Sequence, residues 1–360
     1  MTLPFDLLRS GYPYYMTLGQ RRVTTNPVDI GFGKENVYVL TRGGLGTWVR
    51  VLDWEDENLG TLGDASLFQS PAALLVDEDE NLYVTDEANH KVVVMDKDGE
   101  HINTWGEKGS EPGQLNRPSG MSFDAEGNIV LSDAMNSRIQ RFTRDGKHLQ
   151  AFGGFGDGEG ELNMPWGLTV DQSGDVLVAD WKNDRVQRFT SEGEFKSAIG
   201  SHGTEKGEFR RPSSVAVDGH GDIYVSDWQN DRVQLFNKDE RYIQSFHGNA
   251  SLSRSGKQYI LSNLVTLRLR AEGDFEKTQG LSAPMTVRVD DQFRLFITDF
   301  GNHRIQIYQK DVVELSETEI APKMRNPILF TTWLLPSNSN FSFGAYVINV
   351  VQNGLPFFIR

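Results

Sequence analysis

One spacing constrains this chain more than any other feature. Pro118, Pro165 and Pro212 stand 47 residues apart, and so do Asp124, Asp171 and Asp218, and again Asp133, Asp180 and Asp227. The copy from Pro165 to Gly200 shows what is being repeated. Three alternating apolar runs, Leu168-Val170, Val176-Val178 and Val186-Phe189, are followed by a fourth that ends at Ile199-Gly200. Alternation with period two marks strands. The Gly-bearing turns Gln172-Ser173-Gly174-Asp175 and Ser191-Glu192-Gly193-Glu194 fold successive runs back on one another as hairpins. The unit is a four-stranded antiparallel meander. Four strands recurring with a period of about 45 residues are the signature of a β-propeller blade. The expected class is therefore all-β.

Read in order, the chain supplies six such units. Full blades begin at Pro27, Pro71, Pro118, Pro165 and Pro212, and a last one at Pro284 has three strands, Thr286-Val289, Leu295-Thr298 and Ile305-Tyr308. Its missing fourth strand is present at the other end, where Tyr15-Met16-Thr17-Leu18-Gly19 matches the fourth-strand endings at Trp105-Gly106 and Phe152-Gly153. Pairing the two ends in one blade closes the ring and removes an open sheet edge. The propeller is expected over 11–310, with a lengthened connector at 249–283 and an extension over 311–360. The connector is 25 residues longer than in the regular blades, and Leu252, Tyr259, Ile260, Leu264 and Leu267 fall on one helical face. It is a candidate lid beside Trp228 and Phe300, with a surface decoration as the equal alternative.

Strand two ends in Asp86, Asp133, Asp180, Asp227 or Asp299, followed by Asn89, Asn136, Asn183, Asn230 or Asn302 and then Lys91, Arg138, Arg185, Arg232 or Arg304. In blade one the equivalent strand ends at Thr41. These residues resemble the NHL repeat, whose members are six-bladed propellers, and the resemblance covers roughly Gly11 to Lys310. Because the Asp-Asn-Arg group recurs in five blades, it reads as a loop brace, a carboxylate holding backbone amides and the following Arg. Function is expected where the blades differ.

The start of strand one and the loop after strand two share one face of the disk. Near the axis of that face stand Val28, Ala72, Ser119, Trp166, Ser213 and Met285, joined by Arg42, Glu87, Ala134, Trp181, Trp228 and Phe300. Trp166, Trp181, Trp228 and Phe300 form a candidate aromatic wall with Arg42 across the closure, an apolar body with few polar groups as in small-ligand sites. Packing or plugging of the channel is the competing role for the same rings.

The segment Tyr38 to Gly44 resembles the strand-plus-Arg-Gly segment of peptidyl-hydroxyglycine amidating lyases, a resemblance that makes Arg42 a candidate catalytic residue. That family's zinc-binding His after the opening Pro is matched at none of the six positions. The seven His fall in loops or outer strands, and His90 and His303 read as solvated. No zinc site is expected, and a divalent cation remains open, with Glu87, Asp133 and Asp180 as the available acids for a lyase or lactonase-like hydrolase.

Composition narrows the remaining classes. No cysteine is present, so neither a disulfide nor a thiolate metal site exists. Net charge −14 argues against general nucleic-acid binding but leaves room for a local basic patch. No signal peptide or transmembrane segment is recognised, which points to the cytoplasm. No zinc-ring or coiled-coil region accompanies the repeats, unlike in ubiquitin-ligase scaffolds. The leading expectation is a binding module for a small molecule or peptide at the channel face, with a protein partner as a further option.

Overall fold

The computed structural model describes residues 8–19, 23–43, 46–63, 66–262 and 279–314. Six four-stranded antiparallel sheets appear in chain order. Their first strands are Pro27–Phe32, Pro71–Val76, Pro118–Phe123, Pro165–Val170, Pro212–Val217 and Pro284–Val289. Each first strand packs against that of the next blade, and Pro284–Val289 packs back against Pro27–Phe32, so the ring is closed. Blade six consists of Pro284–Val289, Arg294–Asp299, Arg304–Gln309 and, outermost, the N-terminal strand Tyr14–Leu18. Leu18 pairs with Ile305 and Tyr14 with Tyr308, the closure expected from the sequence.

The hydrophobic core is divided into layers between neighbouring blades. Val130, Ile139, Leu168, Val178 and Phe189 join blades three and four, while Leu18, Ile30, Val39, Phe296 and Ile307 join blades six and one. Burying one such side chain is worth about 1.5–3 kcal/mol. Near the axis the first strands approach so closely that a side chain does not fit. A Cβ on Gly167 would lie 2.6 Å from the Ser213 carbonyl oxygen, and one on Gly120 would lie 2.5 Å from that of Trp166. Hydroxyls stitch the same joints: Ser119 Oγ donates to the Trp166 carbonyl (3.1 Å) and Ser213 Oγ to that of Met285 (2.7 Å). Both serines are thus buried in joints and do not face the channel.

The recurring Asp braces its loop as expected. In blade four the fully buried Asp180 accepts from the Asn163 amide (2.7 Å), Asn183 Nδ2 (2.8 Å), Arg185 Nε (2.9 Å) and Gln187 Nε2 (3.1 Å). Arg185 also donates to the carbonyls of Gly158 and Glu161, and so fastens the inter-blade connector. Asp133, Asp227 and Asp299 repeat the arrangement with Arg138, Arg232 and Arg304. Burial pushes the carboxyls of Asp133, Asp180 and Asp227 above their ordinary range, against the pull of these hydrogen bonds.

A second brace was not foreseen. The residue closing each strand-two turn takes a left-handed backbone, as at His90 (φ 57°), Asp184 (φ 54°), Asp231 (φ 51°) and His303 (φ 60°). His90 Nδ1 accepts from the Arg117 amide (3.0 Å), Asp184 from Arg211 (2.6 Å), Asp231 from Ala283 (2.6 Å) and His303 Nδ1 from Asn26 (3.1 Å). His90 and His303 are therefore half-buried inter-blade acceptors, not solvated side chains. Asp and His tolerate this backbone region and supply a short acceptor.

The long connector contains one helix among its described residues, α1 (Arg254–Leu261), capped by Ser253 Oγ on the Gly256 amide. Its hydrogen bonds and ion pair are with blades six and one, not with Trp228 or Phe300. Ser251 bonds Tyr14 on the outermost strand of blade six, Ser255 donates from its amide (2.8 Å) and hydroxyl (2.7 Å) to Asp56, and Arg254 pairs with Glu55. Asp56 is buried in the outer hairpin of blade one and also accepts from the Gly19 amide (2.5 Å). One carboxylate at a helix N-terminus thereby ties the connector and the N-terminal strand to blade one. Leu264 and Leu267 lie outside the described residues.

A separate two-stranded ladder pairs Leu8–Gly11 with Asp311–Glu314. The extension beyond Glu314 lies outside the described residues. Among the described residues, no helix is long and apolar enough to cross a membrane.

Candidate functional site

Pro165 pairs with Asp180 and Arg185 also pairs with Asp180, so the start of strand one and the turn after strand two meet on one face. That geometry brings three of the expected aromatics together. Trp166, the second residue of its strand, has its ring centroid 6.0 Å from that of Trp181, which follows the bracing Asp180. Trp181 lies 6.4 Å from Trp228, its equivalent in blade five, with interplanar angles of 37° and 43° along the row. All three rings are partly exposed. The Trp228 indole N–H is buried without a partner among the described residues, so the outward part of that ring offers carbon surface.

Above the middle ring sits a cation the sequence reading missed. The Arg211 guanidinium lies 4.8 Å from the Trp181 centroid and donates to the Lys182 carbonyl (3.0 Å). Its position before Pro212 is readable from the repeat. Its direction is not, because the left-handed backbone at Arg211 (φ 57°) and its bond to Asp184 set the aim of the side chain.

The other two expected residues are placed differently. Phe300 packs against the layer between blades one and two, with Val28, Leu40 and Leu74. Arg42 pairs with Glu87 (2.9 Å) and lies 3.4 Å from Ser70 Oγ. Glu87, nearly fully buried, is shared with Arg117, whose side chain is 50% exposed. The channel face thus has an indole row on blades four and five and an ion cluster spanning blades one to three. Ala72 and Ala134 are buried, and Met285 is partly open.

The acids available for catalysis are already engaged. Asp133 and Asp180 spend their oxygens on loop braces, and Glu87 is held by two guanidiniums. Among the described residues, no group of three or more His, Asp or Glu is placed to hold a metal ion.

The family profile of the NHL repeat matches residues 162–189 and 209–236, the first three strands of blades four and five. The chain is a six-bladed propeller that carries NHL repeats in blades four and five. Solved structures agree on the fold. A protein of unknown function from Bacteroides thetaiotaomicron superposes with a TM-score of 0.61 at 16% identity, covering 84% of this chain and 77% of that one. An inactive virginiamycin B lyase from Staphylococcus aureus, solved with quinupristin, gives 0.52 at 13% identity over 84% and 88%. A chain of a nidogen–laminin complex gives 0.51 at 20% identity over 62% and 81%. At these identities the likeness is one of fold. No curated protein matches the sequence.

On the opposite face of this propeller, where the hairpin turns gather, lie two open cavities of about 370 and 310 Å³. The smaller runs between blades six and one. There the Arg294 guanidinium covers the Trp54 ring at 4.0 Å and is paired with Asp290 (2.6 Å), so the aromatic surface is occupied from within the chain. The larger is lined mainly by charged side chains, including Lys34, Glu80 and Asp98. Neither offers the open aromatic surface of the channel face.

Proposed function

We propose that this propeller is a binding module that takes a small molecule or peptide on the channel face, with Trp166, Trp181 and Trp228 as its platform and Arg42 and Phe300 as flanking positions. The row of three indoles carries the reading. Large apolar rings held open to solvent in sequence, on a scaffold whose loops are braced blade by blade, are pre-organised for a flat or apolar group. A lyase or lactonase-like activity is the alternative. It is less favoured because Arg42 is held by Glu87 and the nearest acids are engaged. The cytoplasmic setting read from the sequence belongs to the same proposal, and cell fractionation checks it.

The test is a small-molecule and peptide screen read by tryptophan emission and thermal shift, on wild type and Trp181→Ala. Hits that quench emission in wild type and lose about tenfold or more affinity in the variant support the platform. Hits indifferent to Trp181→Ala, or turnover of a lyase or lactone substrate abolished by Arg42→Ala, would replace it.

A further inference from the structure

Eight large apolar side chains are conspicuously exposed among the described residues. Five of them, Tyr15, Leu59, Ile102, Leu149 and Ile243, occupy the second position of an outermost strand, a repeated feature of the ring's edge. Leu261 ends α1. The remaining two, Met135 (46% exposed) and Phe155 (77% exposed), lie on the channel face. Met135 is in the strand-two turn of blade three, and Phe155 is in the connector from blade three to blade four. Phe155 is the most exposed of all eight, and it stands where blades two and four carry Lys108 and His202. Phe155 and Met135 thus add exposed apolar surface on blade three, the blade next to the one that carries Trp166 and Trp181. A compact ligand resting on three indoles has no need of that extension.

Charge in this sector runs against the chain's net −14. Arg117 is half exposed and shares a single carboxylate with Arg42. Among the described residues the Arg211 guanidinium donates to backbone carbonyls and has no carboxylate partner, and Lys182 and Arg210 are exposed. Asp157, Glu159 and Glu161 follow Phe155 on the connector, and Asp184, nearly buried and accepting from the Arg211 amide, is an acid beside this inner group. The inner part of the sector is thus cationic around aromatic rings, and the outer part is apolar with acids beside it.

Resting on the proposed binding role, we infer that the occupant is an extended peptide segment of a partner protein. Its acidic residues lie over Trp166 and Trp181 between Arg117 and Arg211, and an apolar residue packs on Phe155 and Met135. Charge complementarity selects acid at the inner end and disfavours it at the rim. Surface charges of this kind set specificity and encounter rate more than affinity, while the open rings, covered once the peptide is bound, supply the anchor.

The experiment is selection of a displayed library of random peptides, on the order of a dozen residues long, on the immobilised protein, with Trp181→Ala for counter-selection. Enriched sequences are expected to combine Asp or Glu with an aromatic or aliphatic residue. The best of them, synthesised, should lose about tenfold affinity in Phe155→Ser, a change at an exposed position, and in Arg211→Gln checked for unchanged melting. Binding should also weaken with salt. Enrichment of basic or uncharged sequences, affinity indifferent to Phe155→Ser, or no enrichment over Trp181→Ala would overturn the inference. Small-molecule hits at Trp181 without peptide enrichment would leave the binding role standing and remove the peptide. Failure of both screens would remove both.

Discussion

Blade four and blade one are the same four-stranded meander with different polar bookkeeping. In blade four, Asp180, Asn183, Arg185 and Gln187 satisfy one another and the connector, and Trp166 and Trp181 stand outside that brace. In blade one, strand two ends in Thr41, whose hydroxyl donates to the Trp48 carbonyl (3.0 Å), and the Asp brace is missing. Stability is drawn instead from neighbours. Arg42 leans on Glu87 of blade two, and Asp56 collects the N-terminal strand and α1. A self-sufficient blade can display unusual residues, whereas a dependent one has its unusual residues engaged in structure. That is why the open aromatics sit on blades four and five while Arg42, the residue that looked catalytic, is tied down.

The contrast breaks first at its strongest point. Asp180→Ala strands Arg185, Asn183 and a backbone amide in a buried site, and about 3–5 kcal/mol of stability is expected to go. Thr41→Ala should cost about 1 kcal/mol. Urea unfolding of both variants measures the difference, and equal losses would mean that the brace is decoration. Next comes the dependence of blade one on borrowed contacts. Asp56→Ala removes charge-assisted bonds to Gly19 and Ser255, with about 2 kcal/mol expected. The same variant should open α1 to proteolysis before the blades unfold.

Gly167→Ala sharpens the comparison inside blade four. The added methyl meets the Ser213 carbonyl, so about 1–3 kcal/mol is expected, together with a shifted Trp emission as the neighbouring Trp166 is displaced. An unchanged spectrum would show that the indole row is not set by this joint.

The smallest effect separates the two kinds of inter-blade acceptor. Burial, with Lys108 and Arg117 nearby, holds the His90 imidazolium below its ordinary value. A histidine depressed in this way stabilises the fold fully above its unfolded value of about 6.5, and the contribution is lost as pH falls through the folded value. Physically, protonated Nδ1 can no longer accept from Arg117. Wild type should therefore lose some stability between about pH 7.5 and about pH 5.5 that His90→Asn retains, since Asn still accepts through its side-chain oxygen. A parallel pH profile in the variant would assign the loss elsewhere.

Much of this molecule is written locally. Period-two alternation, Asx and Gly turns, and a recurring Asp-Asn-Arg group determine the strand count, the blade boundaries and the closure by Tyr14–Leu18, because each depends on residues within one unit or on one missing strand. The same periodicity placed Trp166, Trp181 and Trp228 on one face. What depended on neighbouring blades was not legible. Ser119 and Ser213 turn into joints, Phe300 joins the layer of blades one and two, His90 and His303 become acceptors, and α1 fastens the rim instead of covering the channel. Repeat spacing gives a residue its height and its face in a blade. The direction of a side chain is decided by backbone twist and by the adjacent blade, and those exist only once the ring has closed.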